Sequence, residues 1–210
     1  PARIHVSILD RADRVLPTLH PDVSNIAQKR LEELHITTRL SVEVDYCTAE
    51  HVALKNGEIV PADVIIWSAG SRANAFFERY PDIFSLDPRK RVLVNEFMQA
   101  NSPDIYVLGD SASTRYSGMA QTAIDDAHQL AHNFKNFAYG KQLEPYKPVL
   151  PVYVVPIGHE WAVAQVGDDI HIAEAGWKIR RDADYFVLSS FLDEQRARDP
   201  WQAAFQIAHI

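Results

Sequence analysis

Glycine is scarce in this sequence, and its spacing excludes one kind of ligand-binding loop. The eight glycines stand at positions 57, 70, 109, 118, 140, 158, 167 and 176. The loop G-x-G-x-x-G, which lets the backbone approach the pyrophosphate of a dinucleotide, needs several glycines within a few residues of one another. No such loop can therefore be formed by these 210 residues.

Cysteine, positive charge and long apolar runs are also limited. Cys47 is the only cysteine, so an internal disulfide is excluded and a reducing compartment is favoured. The formal net charge of −7 argues against a nucleic-acid partner, because no basic stripe is present to displace counterions from phosphates. No apolar run is long enough to span a bilayer, and no signal peptide is recognisable. We therefore expect a cytoplasmic protein that does not bind nucleic acid.

Strand and helix patterns alternate in the first half of the chain. Residues 4–9 are mostly apolar and predict a strand that ends at Asp10, and residues 20–35 have apolar side chains at helical spacing. A hairpin turn is indicated at Asn56-Gly57, followed by the apolar run ADVIIWSAG, which predicts a buried strand. This order is typical of the later part of an α/β nucleotide-binding domain.

The second half predicts further strands and three helices. The strands are RVLVNEFMQ and the apolar start of SPDIYVLGDSAS, and a helix runs from Ser117-Gly118 to about Phe137. Apolar side chains of that helix form one stripe and predict a buried face: Ala120, Ala123, Ile124, Ala127, Leu130, Ala131 and Phe134. A proline-rich linker, antiparallel strands with a turn at Gly167, a helix over 177–196 and a last helix N-capped by Asp199 complete the pattern.

The segment SPDIYVLGDSAS combines features of a ligand site. Gly109 ends an apolar run and allows close approach, because it has no Cβ. Asp110 follows it, and a carboxylate there can accept hydrogen bonds from sugar-type hydroxyls. The helix that starts near Gly118 directs its N–H groups to the same region. These residues alone leave two interpretations open, a polyol-phosphate site or a carboxylate that only caps a turn.

The same segment resembles the second flavin-binding motif of the two-dinucleotide-domain flavoproteins, the pyridine nucleotide-disulfide oxidoreductase superfamily. The resemblance implies that Asp110 binds the ribitol of FAD and that Gly109 permits the approach. GMAQTAIDDAHQLAHNF resembles the helix whose N-terminus meets the flavin pyrimidine ring, which places Ala120 and Gln121 beside the flavin. The implied fold is α/β, with partial Rossmann-like FAD- and NAD(P)-binding domains followed by a smaller α+β C-terminal domain.

Two further positions are implied by the NAD(P)H domain of this superfamily. ADVIIWSAG resembles the strand that closes that domain, which places Gly70 in the NAD(P)H half. Asp10 matches the acidic residue that holds the adenine ribose, and Arg11 beside it leaves NADPH open as well as NADH. We assign no protein acid or base, because the cofactors carry the chemistry.

Within the superfamily the chain resembles type II NADH dehydrogenases, the single-subunit NADH:quinone oxidoreductases, which share the EAGW ending of a strand before the last helices. The resemblance implies hydride transfer from NADH to FAD and electron transfer to quinone. Those enzymes usually carry paired glutamines where this chain has Asp125 and Asp126, so another acceptor is open. One alternative is a soluble NAD(P)H reductase for an iron–sulfur protein or oxygen.

The C-terminal third is rich in aromatic residues, namely Trp161, Trp177, Phe186, Phe191, Trp201 and Phe205. They are consistent with a compact core, or with a homodimer interface or a peripheral membrane contact, as the resemblance implies. In the membrane interpretation four arginines would face lipid headgroups: Arg180, Arg181, Arg196 and Arg198. Elsewhere, Asp125, His128 and His132 share a helix face, but without a further ligand we interpret them as a polar surface and assign no metal site.

The resemblance and the absence of a glycine-rich loop together make this chain look like the C-terminal half of a flavoprotein. We expect residues 1–74 to complete the NAD(P)H-binding domain, 75–140 to complete the FAD-binding domain and 141–210 to form a dimerisation or membrane-contact domain. A non-enzymatic alternative is an interaction and dimerisation module that is inactive without its N-terminal half.

Overall fold

The computed structural model describes residues 4–70 and 72–207, and it describes side chains as far as Gln202. These residues form two compact units. The first unit contains the residues up to Ile66 and those from Val152 onward, and the second unit is Trp67–Pro151. Each unit combines helices with extended segments and has its own buried cluster of apolar side chains.

The first unit begins with a strand–helix–strand sequence. Strand β1 (Ser7–Leu9) lies parallel to β2 (Thr37–Arg39), and helix α1 (Pro21–Glu33) connects them, as the sequence predicts. Pro21 suits the first turn of α1, since its fixed φ is helical and its missing N–H has no partner there in any case. The imidazole of His20 accepts a hydrogen bond from the Asp22 N–H at 3.3 Å and caps the helix.

An antiparallel three-stranded sheet follows, with β3 (Val44–Cys47), β4 (His51–Leu54) and β5 (Ile59–Pro61). The predicted hairpin between β4 and β5 is confirmed. Gly57 has a φ of +87° at the turn, and Asn56 Oδ1 accepts the Glu58 N–H at 3.0 Å. The turn therefore uses the residue types that tolerate its backbone conformation.

The prediction of a buried strand over ADVIIWSAG is wrong. Residues 62–70, all of which the structure describes, form no strand, although they follow β5 directly. Val64, Ile66 and Trp67 are 78%, 85% and 65% exposed. A strand becomes regular only when a neighbour pairs with its N–H and C=O groups, and among the described residues this segment has no such neighbour.

The first unit is completed by the C-terminal part of the chain. An antiparallel sheet of β6 (Tyr153–Pro156), β7 (Ala162–Val166) and β8 (Asp169–Ala173) confirms the predicted strands. Helix α1 and helix α3 (Glu174–Ser189) both pack against β7. The shared core contains seven buried residues: Val15, Leu19, Val23, Ala27, Leu31, Ile157 and Val163.

The last helix, α4 (Glu194–Ile207), begins earlier than the sequence predicts. Asp199 and Pro200 lie inside it, and Asp193 precedes it. The carboxylate of Asp193 accepts the Arg196 N–H at 2.9 Å, which is the bond of an N-cap residue. The prediction that Asp199 caps this helix is therefore wrong, because an N-cap also fits one turn upstream.

The second unit contains few regular elements besides helix α2 (Ala120–Ala138). The predicted strands over RVLVNEFMQ and over residues 105–108 are wrong as regular strands, since they form only single bridges, such as Val92 with Ala112 and Gln99 with Tyr106. Their apolar side chains are nevertheless buried, and Phe84, Val92, Val107 and Ala112 form the core of this unit.

Helix α2 matches its predicted extent but not its predicted buried face. Five residues with little exposure line the packed side, most of them polar: Thr122, Asp126, Leu130, Asn133 and Asn136. Ala127, Ala131 and Phe134 of the predicted apolar stripe are exposed. The polar side is buried because hydrogen bonds to neighbouring backbone satisfy its side chains, which the sequence pattern does not reveal.

Candidate functional site

The candidate site is centred on the turn Gly109–Ser111, a single turn of 3₁₀ helix that follows extended backbone at Leu108. Gly109 is buried and has a φ of +63°, a conformation that favours glycine. A Cβ at this position would lie 3.3 Å from the Cβ of Ala123, so a side chain would also be crowded. Glycine is therefore required both by the backbone and by the contact with α2.

Asp110 projects from this turn as an exposed side chain. Among the described residues, its carboxylate has no hydrogen-bond or ion-pair partner. Caps and structural ion pairs normally engage their carboxylates, so the turn-cap interpretation has no contact to support it here. The carboxylate is consequently available to a ligand's donors.

Helix α2 begins beside the same turn and packs against it. Met119 is the N-cap residue and provides no side-chain hydrogen bond, and the first turn contains no acidic residue. Ala120 and Gln121 open the helix, and both are exposed. No N-cap side chain and no acidic residue of the first turn therefore compensates the positive end of the α2 dipole. Gly109, Asp110, Ala120 and Gln121 are accordingly brought together in one unit.

A half-buried ion pair between Asp87 and Arg91 fixes the loop between Asp110 and α2. Asp87 accepts the Arg91 Nε–H at 2.9 Å and the Ser113 hydroxyl at 2.9 Å, and Arg91 also binds the hydroxyl of Ser117. Burial opposes ionisation of Asp87, but its bonds from the Arg91 backbone and guanidinium and from Ser113 lower its pKa from 3.8 to about 2. The ionised carboxylate therefore holds the loop at Ser113, and its partner Arg91 holds it at Ser117.

Asp126 binds the turn from the other side. It is fully buried on α2, and its Oδ2 accepts the Gly109 N–H at 3.0 Å. The resemblance places Asp126 only near an acceptor site, and the sequence pattern assigns no role to Asp87. A positive-φ glycine whose N–H points inward needs an acceptor, which is the one sequence signal for Asp126, but it does not say which residue supplies it.

The segment after α2, predicted as a linker, is packed against the helix. Asn133 donates to the Glu144 carbonyl at 2.9 Å and accepts the Glu144 N–H at 2.9 Å. A cavity of about 270 Å³ lies between this segment and α2, lined by Asp125, His128, Gln129, His132, Tyr146, Lys147 and Val149. Within the described part of the chain, no group of three or more histidine, cysteine, aspartate or glutamate side chains is arranged to hold a metal ion.

The two residues assigned to nucleotide binding in the NAD(P)H half lie in different units. Asp10 is half-buried at the end of β1, and its Oδ1 accepts the Ala12 N–H at 2.9 Å. Gly70 belongs to the second unit, with a φ of +97° and no atom within 4 Å of the position of a Cβ. Asp10 therefore has a structural contact, while the space around Gly70 is open.

The C-terminal arginines only partly match the membrane interpretation. Arg181 is buried, lies 4.5 Å from the ring centroid of Trp201 and donates to the Trp201 carbonyl at 2.7 Å. The expectation that Arg181 faces lipid headgroups is therefore wrong, because it joins α3 to α4. Phe186 and Phe191 are exposed, and the side chain of Phe205 lies outside the described residues. No described helix is both long enough and apolar enough to cross a bilayer.

Comparison with known proteins identifies related sequences and folds. The model of the family described as pyridine nucleotide-disulphide oxidoreductase matches residues 2–127. Coenzyme A disulfide reductase from Staphylococcus aureus strain MRSA252 is 28% identical over 113 residues, which are 54% of this chain and 26% of that protein. The matched region thus spans about a quarter of the length of this relative.

Two solved structures resemble nearly the whole chain. NDH2 from Plasmodium falciparum, solved in complex with NADH, aligns with 96% of this chain and 57% of its own, at a TM-score of 0.78 and 14% identity. A ferredoxin reductase for the CYP199A2 system from Rhodopseudomonas palustris aligns with 93% of this chain and 57% of its own, at a TM-score of 0.62 and 16% identity. These similarities confirm the predicted α/β class with Rossmann-like relatives.

Proposed function

Because the chain belongs to the pyridine nucleotide-disulphide oxidoreductase family, we propose that it supplies the ribitol-binding turn and part of the NAD(P)H-binding region of a flavoenzyme. Enzymes of this family are oxidoreductases that use FAD and NAD(P)H. When bound, FAD accepts a hydride from NADH and passes electrons to a second acceptor. The observation that carries the proposal is the exposed, unpartnered carboxylate of Asp110 on a turn that requires glycine.

The residues at the turn fit the sugar-alcohol part of FAD. A ribitol chain presents hydroxyl donors, and the Asp110 carboxylate offers acceptors that no described residue occupies. Gly109 keeps the turn free of a side chain, and the first N–H groups of α2 offer donors to a group with partial negative charge. The donor and acceptor set thus matches a flavin and its ribitol.

Each proposed residue has a defined task. Asp110 accepts hydrogen bonds from ribitol hydroxyls, and Gly109 allows the backbone to come close. Ala120 and Gln121 border the flavin, where the positive end of the α2 dipole favours electron-rich atoms. In the NAD(P)H half, Asp10 accepts a hydrogen bond from the adenine ribose, and Gly70 leaves room for the nucleotide.

The C-terminal strands and helices support a more specific proposal. NDH2 aligns with 96% of this chain, a share too large to leave out more than a small part of the segment from β6 to α4. We therefore favour an enzyme of the type II NADH dehydrogenase kind, with quinone as acceptor, homodimeric and in peripheral contact with the cytoplasmic face of a membrane. We assign the three functional regions as the sequence predicts them. Residues 1–74 contribute to NAD(P)H binding, residues 75–140 contribute to FAD binding, and residues 141–210 serve dimerisation or membrane contact.

A soluble NAD(P)H reductase for an iron–sulfur protein is the second candidate. It is favoured by the carboxylates Asp125 and Asp126 in place of paired glutamines, and by the alignment of 93% of the chain with a ferredoxin reductase. Assays of NADH oxidation with a soluble quinone, a ferredoxin, coenzyme A disulfide and oxygen in parallel separate these acceptors. A rate with the quinone at least about tenfold above the others supports the first candidate, and a preference for any other acceptor overturns it.

The flavin site is tested by substitution of Asp110 in the full-length protein. Asp110→Asn replaces a charged acceptor by a neutral one that also bears donors, so we expect FAD to bind about tenfold or more weakly, as read from quenching of flavin fluorescence. Asp104→Asn is the matched control, since Asp104 is exposed in the preceding turn of the same unit. Equal affinity in both variants contradicts the assignment, and full-length protein that binds no FAD favours the interaction-module alternative.

A further inference from the structure

The candidate turn is held in place by a buried acidic residue of helix α2. We propose that Asp126 is a positioning residue for the FAD site, which orients Asp110 through the Gly109 N–H; this rests on the flavin function proposed above. Asp126 itself is fully buried, so it acts on the ligand only through the turn.

The contact between Asp126 and the turn is direct. Oδ2 of Asp126 accepts the Gly109 N–H at 3.0 Å, and Gly109 immediately precedes Asp110 in the chain. The peptide plane between Leu108 and Gly109 is therefore fixed relative to α2. Because Gly109 has a φ of +63° and no side chain, this hydrogen bond supplies the restraint that a side chain would otherwise give.

The Asp126 carboxylate also interacts with Tyr146. Burial, followed by the hydrogen bond and charge of Asp126, raises the pKa of the Tyr146 phenol. Oδ1 of Asp126 is buried and makes no hydrogen bond of standard geometry with the described residues. Among those residues, the Gly109 N–H is therefore the donor that compensates the desolvation of this buried acid most directly.

Tyr146 is itself fixed by the segment that follows α2. Its N–H donates to the Glu96 carbonyl at 2.7 Å. Two residues earlier, both backbone groups of Glu144 bind the side chain of Asn133 at 2.9 Å. The chain from Glu144 to Tyr146 thus forms a strap along α2, and the strap keeps the phenol against Asp126.

The neighbouring acid has no such role. Asp125 is half-buried and lines the cavity between α2 and the segment that follows it, with His128, His132 and Tyr146. Both acids therefore lie near Tyr146, but of the two only Asp126 is hydrogen-bonded to the turn. This difference provides a control in which the same substitution is made one residue away.

The test uses the full-length protein with Asp126→Ala, Asp126→Asn and Asp125→Asn. We expect Asp126→Ala to raise the Kd for FAD about tenfold or more, which corresponds to the loss of one charge-assisted hydrogen bond. Asn keeps an oxygen that can accept the Gly109 N–H, so Asp126→Asn restores the affinity to within about threefold of wild type. Asp125→Asn leaves the Kd unchanged within about twofold.

Two further measurements separate positioning from general stability. Hydrogen exchange of the Gly109 amide is expected to accelerate in Asp126→Ala and to stay slow in Asp126→Asn. The Kd for a non-oxidisable NADH analogue is expected to be equal in all variants, whereas a general loss of folding would weaken both ligands. If Asp126→Ala does not fold, the Tyr146→Phe variant tests the inference in its place. Because it removes the phenol hydroxyl that interacts with Asp126, we expect it to raise the Kd for FAD about threefold.

Equal FAD affinity in wild type and Asp126→Ala overturns the inference, as does an equal loss in Asp126→Ala and Asp125→Asn. In the Tyr146→Phe variant, an unchanged Kd overturns it. Failure of the proposed function is recognised separately, because the wild-type protein itself then binds no FAD, whatever residue stands at position 126.

Discussion

Asp87 and Gly109 show, at the scale of single residues, how the site depends on residues that fix the backbone on either side of Asp110. The Asp87 carboxylate binds Arg91 and Ser113, and so fixes the loop that connects Asp110 to α2. Gly109 has a φ of +63°, and a Cβ there would lie 3.3 Å from the Cβ of Ala123, so both the backbone and the contact with α2 favour glycine. Neither residue is distinguished by its type, since aspartates and glycines also occur in ordinary turns.

The ionisation of Asp87 predicts how stability changes with pH. Its folded pKa of about 2 lies below its ordinary value of 3.8, so its stabilisation is complete above pH 3.8 and is lost as the pH falls toward about 2. We expect Asp87→Asn to lower the free energy of unfolding by about 2 kcal/mol at pH 7 and to flatten its pH dependence in that window. Urea unfolding followed by circular dichroism measures both, with Asp104→Asn as control. A variant as stable and as acid-sensitive as wild type would contradict the prediction.

Gly109→Ala tests crowding separately from backbone strain. Gly140 has nearly the same φ, +66°, but no atom lies within 4 Å of a Cβ there, whereas at Gly109 a Cβ meets Ala123 at 3.3 Å. We expect Gly140→Ala to lower the free energy of unfolding by about 1 kcal/mol, from the φ strain alone, and Gly109→Ala to lower it further. Equal urea midpoints for the two variants would contradict this prediction, because Ala123 would then move aside without a loss of stability.

At the scale of elements, helices follow local signals more closely than strands do. Helix α2 has its predicted extent because helix hydrogen bonds are made within the segment itself. The run over residues 62–70 has strand-like composition yet forms no strand, and RVLVNEFMQ forms only single bridges. A strand needs a neighbour to accept its hydrogen bonds, and composition does not say whether one is present.

The start of α4 offers a test at this scale, since two aspartates compete as its N-cap. In the structure Asp193 accepts the Arg196 N–H, while Asp199 lies within the helix. We expect Asp193→Ala to lower the free energy of unfolding by about 1 kcal/mol and Asp199→Ala to change it by less than about 0.5 kcal/mol. Thermal unfolding of the two variants measures this difference. A larger loss of stability in Asp199→Ala than in Asp193→Ala would place the start of the helix at Asp199.

At the scale of the whole molecule, the 210 residues hold one part of the proposed flavin site and lack another. The turn at Asp110 and the start of α2 suit ribitol and flavin, but no glycine-rich loop is available for the pyrophosphate. We expect the 210-residue chain alone to purify without stoichiometric flavin, and full-length protein to purify yellow. Absorbance near 450 nm relative to protein measures the ratio, and a yellow 210-residue chain would contradict the prediction.

Exposed apolar side chains give a second consequence at this scale. Val64, Ile66 and Trp67 are largely exposed, and such side chains are common at surfaces that another chain or domain covers. We expect the 210-residue chain to bind a fluorescent hydrophobic dye more strongly, per mole, than full-length protein does. Equal dye fluorescence would show that these side chains remain open in the longer protein.

The amino-acid sequence by itself determined the existence of the helices, the hairpin at Gly57, the C-terminal antiparallel strands and the glycine-aspartate pair of the candidate site. These features depend on local spacing and on residues that tolerate particular backbone angles. The predicted bounds of the last two helices are wrong, because α3 ends at Ser189 instead of residue 196 and α4 begins at Glu194. The tertiary structure alone decided that Asp87 and Asp126 hold the turn, that Arg181 is buried against Trp201 and that residues 62–70 stay exposed. Each of these outcomes depends on groups far apart in the sequence, because the partner of a buried polar side chain is selected by packing and not by local pattern.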